Sequence, residues 1–293
     1  MKYVYGVVPS RRLGKSLGVN VIPRKTCSYS CVYCQLGRTT NKTIKRRSYF
    51  PKEEILDELM VKSKENFDYI TFAGEGEPTL CKDLGWLIEK SKELGKVAVI
   101  TNSSLLFDED VRNDLAECDV VIPSLDAADQ KTFLKVNRPV KLSIDRVIEG
   151  IIEFGEIFKG ELNVEVMLVK GYNDSYEVLN RIKKALAKIK PDKVYLMTFT
   201  RPPAEKVEPV DNRGLFLAYS IIGDVADVEL IVEPEIGEFG IKSLGDLISV
   251  LRRHPMRKEQ IEGFLKMLNS DFSTIKNFGV NEVKYKGETY YFV

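Results

Sequence analysis

Histidine is almost missing from this chain: His254 is the single one among 293 residues. Long apolar runs are missing too. No stretch of eighteen apolar residues occurs, so no membrane span is expected. The N-terminus lacks the charged, apolar and small-residue pattern of a signal peptide. Five cysteines without an export signal suit a reducing compartment, so a cytoplasmic location is expected. Acid is absent from the first fifty residues, which hold eleven Lys or Arg before the first acid at Glu53, although the whole chain carries only +1. Such a basic segment attracts an anionic substrate, or balances a negative group lodged within it. At 44% hydrophobic composition, the chain can bury one large core, or a main domain plus a small one.

Three of the five cysteines, Cys27, Cys31 and Cys34, stand within eight residues at C-x₃-C-x₂-C spacing. Disulfides explain them poorly, because one thiol is left over and so short a loop closes badly. A tetrahedral zinc site wants a fourth Cys or His, and the one histidine lies far along the sequence. A cubane iron–sulfur cluster takes one ligand per iron. Three thiolates therefore leave one iron open to something else.

Around the cysteines the chain reads as alternating strands and helices. Residues 2–8 read as an edge strand, and 9–18 as a glycine- and cation-rich loop suited to phosphates. A strand follows over 17–22, and residues 36–50 are a basic excursion. From Pro51, helical spacing (51–64, 84–94, 108–116, 144–158, 175–189, 216–222) alternates with short apolar strands (69–72, 97–100, 120–123, 162–169, 194–199, 228–232). Strand–helix alternation means parallel β/α units with right-handed crossovers. About six units predict a barrel or part of one, with chemistry at the carboxyl ends of the strands. The polar loops fall there: the cysteines, then Gly74-Glu75-Gly76-Glu77-Pro78, Thr101-Asn102-Ser103-Ser104, Ser124-Leu125-Asp126, Lys170 to Asp174, and Thr200-Arg201. Residues 240–293 differ: three short helices and a hairpin turning at Gly287 predict a winged helix, only mildly basic. The expected domains are 1–235 and 240–293.

The C-x₃-C-x-Tyr-Cys segment beyond a first strand, followed by a G-x-G-E-P loop after the second, resembles the radical S-adenosylmethionine (SAM) enzymes. The resemblance covers roughly residues 17–200. It implies an α/β fold with a partial (β/α)₆ barrel, a 4Fe–4S cluster on Cys27, Cys31 and Cys34, and SAM on the open iron. It places Tyr33 near the adenine, and Gly76 and Glu77 at the methionine ammonium. It sets Asn102, Ser124 and Asp126 at the ribose and methionine carboxylate, and Val169 and Met197 beside the adenine. It also implies reductive cleavage of SAM to methionine and a 5′-deoxyadenosyl radical that removes a hydrogen atom from substrate. The electron comes from an external donor of ferredoxin or flavodoxin type. A barrel without histidine agrees with chemistry that needs little acid–base help.

The opening Pro9-Ser10-Arg11-Arg12-Leu13-Gly14 resembles iron–sulfur oxidoreductases related to wybutosine-synthesis enzymes, which modify transfer RNA. Those carry a second cysteine trio. Here only Cys81 and Cys118 remain, and both read as structural. The substrate expectation is therefore RNA, on the basic first fifty residues, with a peptide, protein or small anionic metabolite as the alternative. A cluster-bearing redox or sensor protein is the reading without enzymatic activity.

Overall fold

The computed structural model describes residues 2–231 and 239–293. β1 (Val4–Ser10) and β2 (Gly14–Val19) form an antiparallel hairpin. The expected loop over 9–18 is thus mostly strand. Its turn is short because Ser10 Oγ accepts from the backbone N–H groups of Arg12 and Leu13, both at 3.3 Å. Gly14 then supplies the left-handed residue at φ +64° that brings the chain back.

Two two-residue strands, β3 (Thr26–Cys27) and β4 (Asn41–Lys42), pair in parallel and bracket the cysteine loop. The chain continues through α1 (Lys52–Lys62), β5 (Tyr69–Phe72), α2 (Leu84–Ser91), β6 (Val97–Thr101), α3 (Glu109–Leu115) and β7 (Val120–Pro123). Next come α4 (Gln130–Val136), α5 (Ile144–Ile157), β8 (Glu161–Leu168), α6 (Tyr176–Ile189), β9 (Lys193–Thr198), α7 (Asn212–Ile222) and β10 (Asp227–Ile231). The sheet order is β1-β2-β5-β6-β7-β8-β9-β10, parallel throughout from β2 onward. Neighbours in space are neighbours in sequence, so the sheet is the wall of a partial barrel.

Strand periodicity sorts the side chains into two layers. Val121, Val164, Val166, Val194 and Leu196 point outward into a core shared with the helices. Their alternates Val120, Ile122, Met167, Tyr195 and Met197 point into the barrel. The helices close the outer layer with one apolar stripe each. In α5 the buried positions are Ile144, Val147, Gly150, Ile151 and Phe154, and Ser143 caps its start on the Arg146 N–H. Helix α4 was not expected. It is only seven residues long, started by Asp129 on the Thr132 N–H and held by buried Phe133 and Val136.

The C-terminal unit comprises α8 (Leu244–Leu251), β11 (Met256–Arg257), α9 (Lys258–Met267), α10 (Phe272–Lys276), β12 (Asn281–Tyr285) and β13 (Glu288–Phe292). Its sheet order is β11-β13-β12, the arrangement of a winged helix. The unit does not stand apart: its core includes Tyr5 and Val8 of β1. Buried Lys62 on α1 also bridges Glu65 at 3.0 Å and Asp246 of α8 at 3.1 Å. The expected first boundary at residue 235 lies outside the described residues.

Candidate active site

The cysteine loop is clamped from both sides by backbone hydrogen bonds. On one side, Ser30 N–H donates to the Asn137 carbonyl at 2.9 Å and Val32 N–H to the Val136 carbonyl at 3.0 Å, while Ser28 accepts from Val140 at 2.9 Å. On the other, Glu77 N–H donates to the Thr26 carbonyl at 3.1 Å, and Lys25 N–H to the Glu75 carbonyl at 2.6 Å. Gly76 makes this second clamp possible. A Cβ there would collide with the Thr26 carbonyl and with Ile22, and backbone cannot yield as a side chain can.

Cys27, Cys31 and Cys34 are free thiols lining one cavity of about 300 Å³ with Tyr33, Gly76, Met167 and Met197. Burial raises all three above the ordinary thiol range, Cys27 to about 12. Negative charge on Cys34 raises Cys27, and charge on Cys27 and Cys34 raises Cys31, so the trio shares one electrostatic environment. Two amides soften that penalty. Asn102 Nδ2 lies 3.3 Å from Cys27 Sγ, and Asn137 Nδ2 lies 3.5 Å from Cys31 Sγ. Among the described residues no group of three or more His, Cys, Asp or Glu is arranged to hold a single metal ion. A cubane binds each thiolate at a different iron and needs no such convergence. The donor chemistry, three soft ligands beside amide N–H groups, fits a cluster.

Each amide is anchored to a buried carboxylate. Glu77 Oε1 accepts from Thr79 N–H at 3.1 Å, from Thr79 Oγ1 at 2.6 Å and from Thr101 Oγ1 at 2.6 Å, and Oε2 accepts from Asn102 N–H at 2.7 Å. Asp126 accepts from Tyr33 OH at 2.5 Å, Asn137 Nδ2 at 2.6 Å and Met167 N–H at 2.9 Å. Burial pushes both carboxyls up, against hydrogen bonds that favour the charged form.

The other expected site residues separate. Asn102 and Ser124 line an adjoining cavity of about 280 Å³ with Cys27, Gly76 and Glu77. Met197 lines the cavity of the cysteines. Val169 is fully buried and lines neither cavity; Asn173 Oδ1 accepts from its N–H at 2.7 Å. Met167, not anticipated, faces the cavity instead; it shares its inward parity with Val169 but lies within β8, which ends at Leu168. Cys81 and Cys118 are buried in the outer core. Asn137 was also missed, as its only mark in the sequence is a polar residue ending an unexpected short helix. The barrel segment itself contains no histidine, but the C-terminal unit carries His254 to the wall of both cavities.

The fold and the cysteine-lined chamber are those of an enzyme class, and comparison with known proteins agrees. Residues 21–182 match the radical SAM superfamily. The chain belongs to that superfamily and, within it, to the UPF0026 proteins. A UPF0026 protein of Methanocaldococcus jannaschii is 40% identical over 99% of this chain and 96% of its own length. Among solved structures, TYW1 with a lysine-pyruvate adduct superposes at TM-score 0.57 with 14% identity, covering 72% of this chain and 74% of that one. Streptococcus suis SuiB bound to its precursor peptide SuiA gives 0.58 with 19% identity and 74% of this chain, which spans 48% of the SuiB chain. At such identities the likeness is one of fold. Among the described residues no helix is long and apolar enough to cross a membrane.

Proposed function

We propose that this enzyme holds a 4Fe–4S cluster on Cys27, Cys31 and Cys34, binds SAM in the adjoining chamber, and acts on a peptide, protein or small anion. The observation that carries this reading is the clamp of the three-cysteine loop against Gly76-Glu77, which sets three thiols on one cavity and the buried Glu77 carboxylate on the cavity adjoining it, with Cys27 and Gly76 on both. When bound, the pair supplies a 5′-deoxyadenosyl radical that removes a hydrogen atom from substrate.

The chain's own residues have separable parts in this. Asn102 and Asn137 donate to two of the sulfurs and so stabilise thiolate character. An ionised carboxylate has about four lone-pair sites. Three donors crowd Glu77 Oε1 and one meets Oε2, so Oε2 and the Gly76 carbonyl suit a methionine ammonium. Ile100, Met167 and Met197 form an apolar wall that excludes water around a reactive carbon. Tyr33 borders the adenine, its ring fixed through its hydroxyl by Asp126. With three protein donors already in place, Asp126 acts as a positioning group and not as a ribose ligand.

RNA is the weaker substrate reading. Three of the eleven cations of the basic N-terminal segment are paired with acids of the same chain: Arg12 with Glu165, Arg38 with Glu205, and Arg46 with Asp114. An electron donor of ferredoxin or flavodoxin type completes the reading. Anaerobic reconstitution with iron and sulfide, reduction, and assay for 5′-deoxyadenosine and methionine test it. Stoichiometric formation of both is expected, and intact SAM after reduction of a fully loaded sample would sink it.

A further inference from the structure

Tyr29 stands between Cys27 and Cys31 in the sequence, is 3% exposed, and lines the cavity of the cysteines. Its hydroxyl is buried and has no hydrogen-bond partner among the described residues. The rest of the residue is fully used. Its N–H lies 3.5 Å from Cys27 Sγ, and its carbonyl accepts from Thr39 Oγ1 at 2.6 Å. Its ring meets Phe133 edge-on, with 5.2 Å between centroids. A phenylalanine would make all of these contacts without the cost of a desolvated hydroxyl.

The polar side chains around it are satisfied. Ser28 Oγ and Ser104 Oγ lie 2.6 Å apart, and Asn102 Nδ2 donates to Ser28 Oγ at 2.9 Å. Tyr33, the other tyrosine of the loop, donates to Asp126. The Tyr29 hydroxyl sits in the field of Cys31, Glu77, Cys27 and Asp126, yet it bonds to no sulfur or oxygen of theirs. Both carboxylates are already met by other donors. An acceptor for this hydroxyl has to come from the group that the cavity holds.

We infer that the Tyr29 hydroxyl donates a hydrogen bond to an inorganic sulfide of the cluster, and so raises the potential at which the cluster takes up its electron. The inference rests on the cluster reading proposed above and adds a residue to it. A hydrogen bond to sulfur draws electron density from the cluster and favours its reduced form. SAM is the poorer acceptor, because Tyr29 does not line the adjoining cavity that Glu77, Asn102 and Ser124 share. Asn102 and Asn137 serve cysteine sulfurs from the two walls, whereas Tyr29 serves the cluster's own sulfur from within the loop.

Anaerobic redox titration of the cluster-loaded protein tests this, with pulsed electron–nuclear double resonance of the reduced cluster in heavy water. Parent and Tyr29→Phe are compared, each with and without SAM, after iron and sulfide analysis has shown equal loading. Tyr29→Phe should shift the potential to a more negative value and lose one exchangeable deuteron coupling, whether or not SAM is present. Phe133→Leu, which disturbs the same packing, should lower the melting temperature and leave the potential where it is. Replacing Tyr29 alone by 3-fluorotyrosine, a stronger donor of nearly the same shape, should shift the potential to a more positive value. That arm decides the matter if Tyr29→Phe loads poorly. Equal potentials in all three proteins, an unchanged set of deuteron couplings, or a difference that appears only with SAM overturns the inference. A parent protein that retains no cluster defeats the cluster reading itself. A loaded parent whose potential ignores position 29 defeats only the role of Tyr29.

Discussion

Two buried carboxylates flank the cysteine loop, and they are built alike. Glu77 gathers Thr79, Thr101 and Asn102 and, through Asn102, reaches Cys27. Asp126 gathers Tyr33, Asn137 and Met167 and, through Asn137, reaches Cys31. They differ in what faces the chamber. Glu77 lines a cavity and keeps lone-pair capacity on Oε2. Asp126 lines neither cavity and is engaged on both oxygens. On the function proposed above, one wall both positions and binds, whereas the other only positions. A buried charge is tolerable in either place because each donor offsets part of its desolvation cost.

The largest expected effect separates the loop from the rest of the molecule. Cys27→Ala, Cys31→Ala or Cys34→Ala should each abolish cluster retention and drop SAM cleavage to background. Cys81→Ala and Cys118→Ala should keep the iron and lose about 1 kcal/mol of stability, as typical single substitutions do. Iron and sulfide analysis after desalting decides between them.

Next in size are the two amides. Asn102→Ala and Asn137→Ala should each cost roughly 10–100-fold in cluster affinity or activity, the usual range for groups that support metal ligands. Loss of a donor to sulfur should also make the cluster potential more negative, measurable by anaerobic redox titration. The carboxylates should then part company. Glu77→Gln should raise the KM for SAM, while Asp126→Asn should lower stability with little change in that KM. The reverse order would break the contrast between the walls. Tyr33→Phe removes one hydrogen bond to a charged acceptor and should cost about 2 kcal/mol in denaturant unfolding.

The smallest effect is a pH dependence outside the loop. Burial raises Cys81 from the ordinary 9 to about 11. A folded-state pKa above the unfolded one means that its contribution is intact below pH 9 and is lost as pH rises through 11. Denaturation curves between pH 8.5 and 10.5 should show that loss in the parent protein and a flatter profile in Cys81→Ala.

Much of this was readable in the chain, for physical reasons. The parallel barrel follows from the switch between strand and helix periods, and the cysteine trio from spacing alone. What escaped the sequence is long-range. Asn137 reaches Cys31 across 106 residues, and Asp126 meets Tyr33 across 93. No local pattern signals such pairs. Val169 and Met167 lie two apart on one face of the chain, so alternation does not tell which is level with the cavity; the strand ends at Leu168 and leaves Val169 beyond it. The β1–β2 hairpin hid behind Arg11-Arg12-Leu13-Gly14, whose composition is that of a loop although its glycine is a turn residue. His254 was set apart because 250 residues of sequence say nothing of a C-terminal unit folding back onto β1.

The central claim is that three thiolates hold a cluster with one iron open to SAM. Low-temperature electron paramagnetic resonance of the anaerobically reconstituted, reduced protein tests it most directly. The account predicts a 4Fe–4S signal that changes on adding SAM and is absent in the Cys27→Ala, Cys31→Ala and Cys34→Ala proteins. A cluster signal that persists in those variants, or one that SAM leaves untouched, would contradict it.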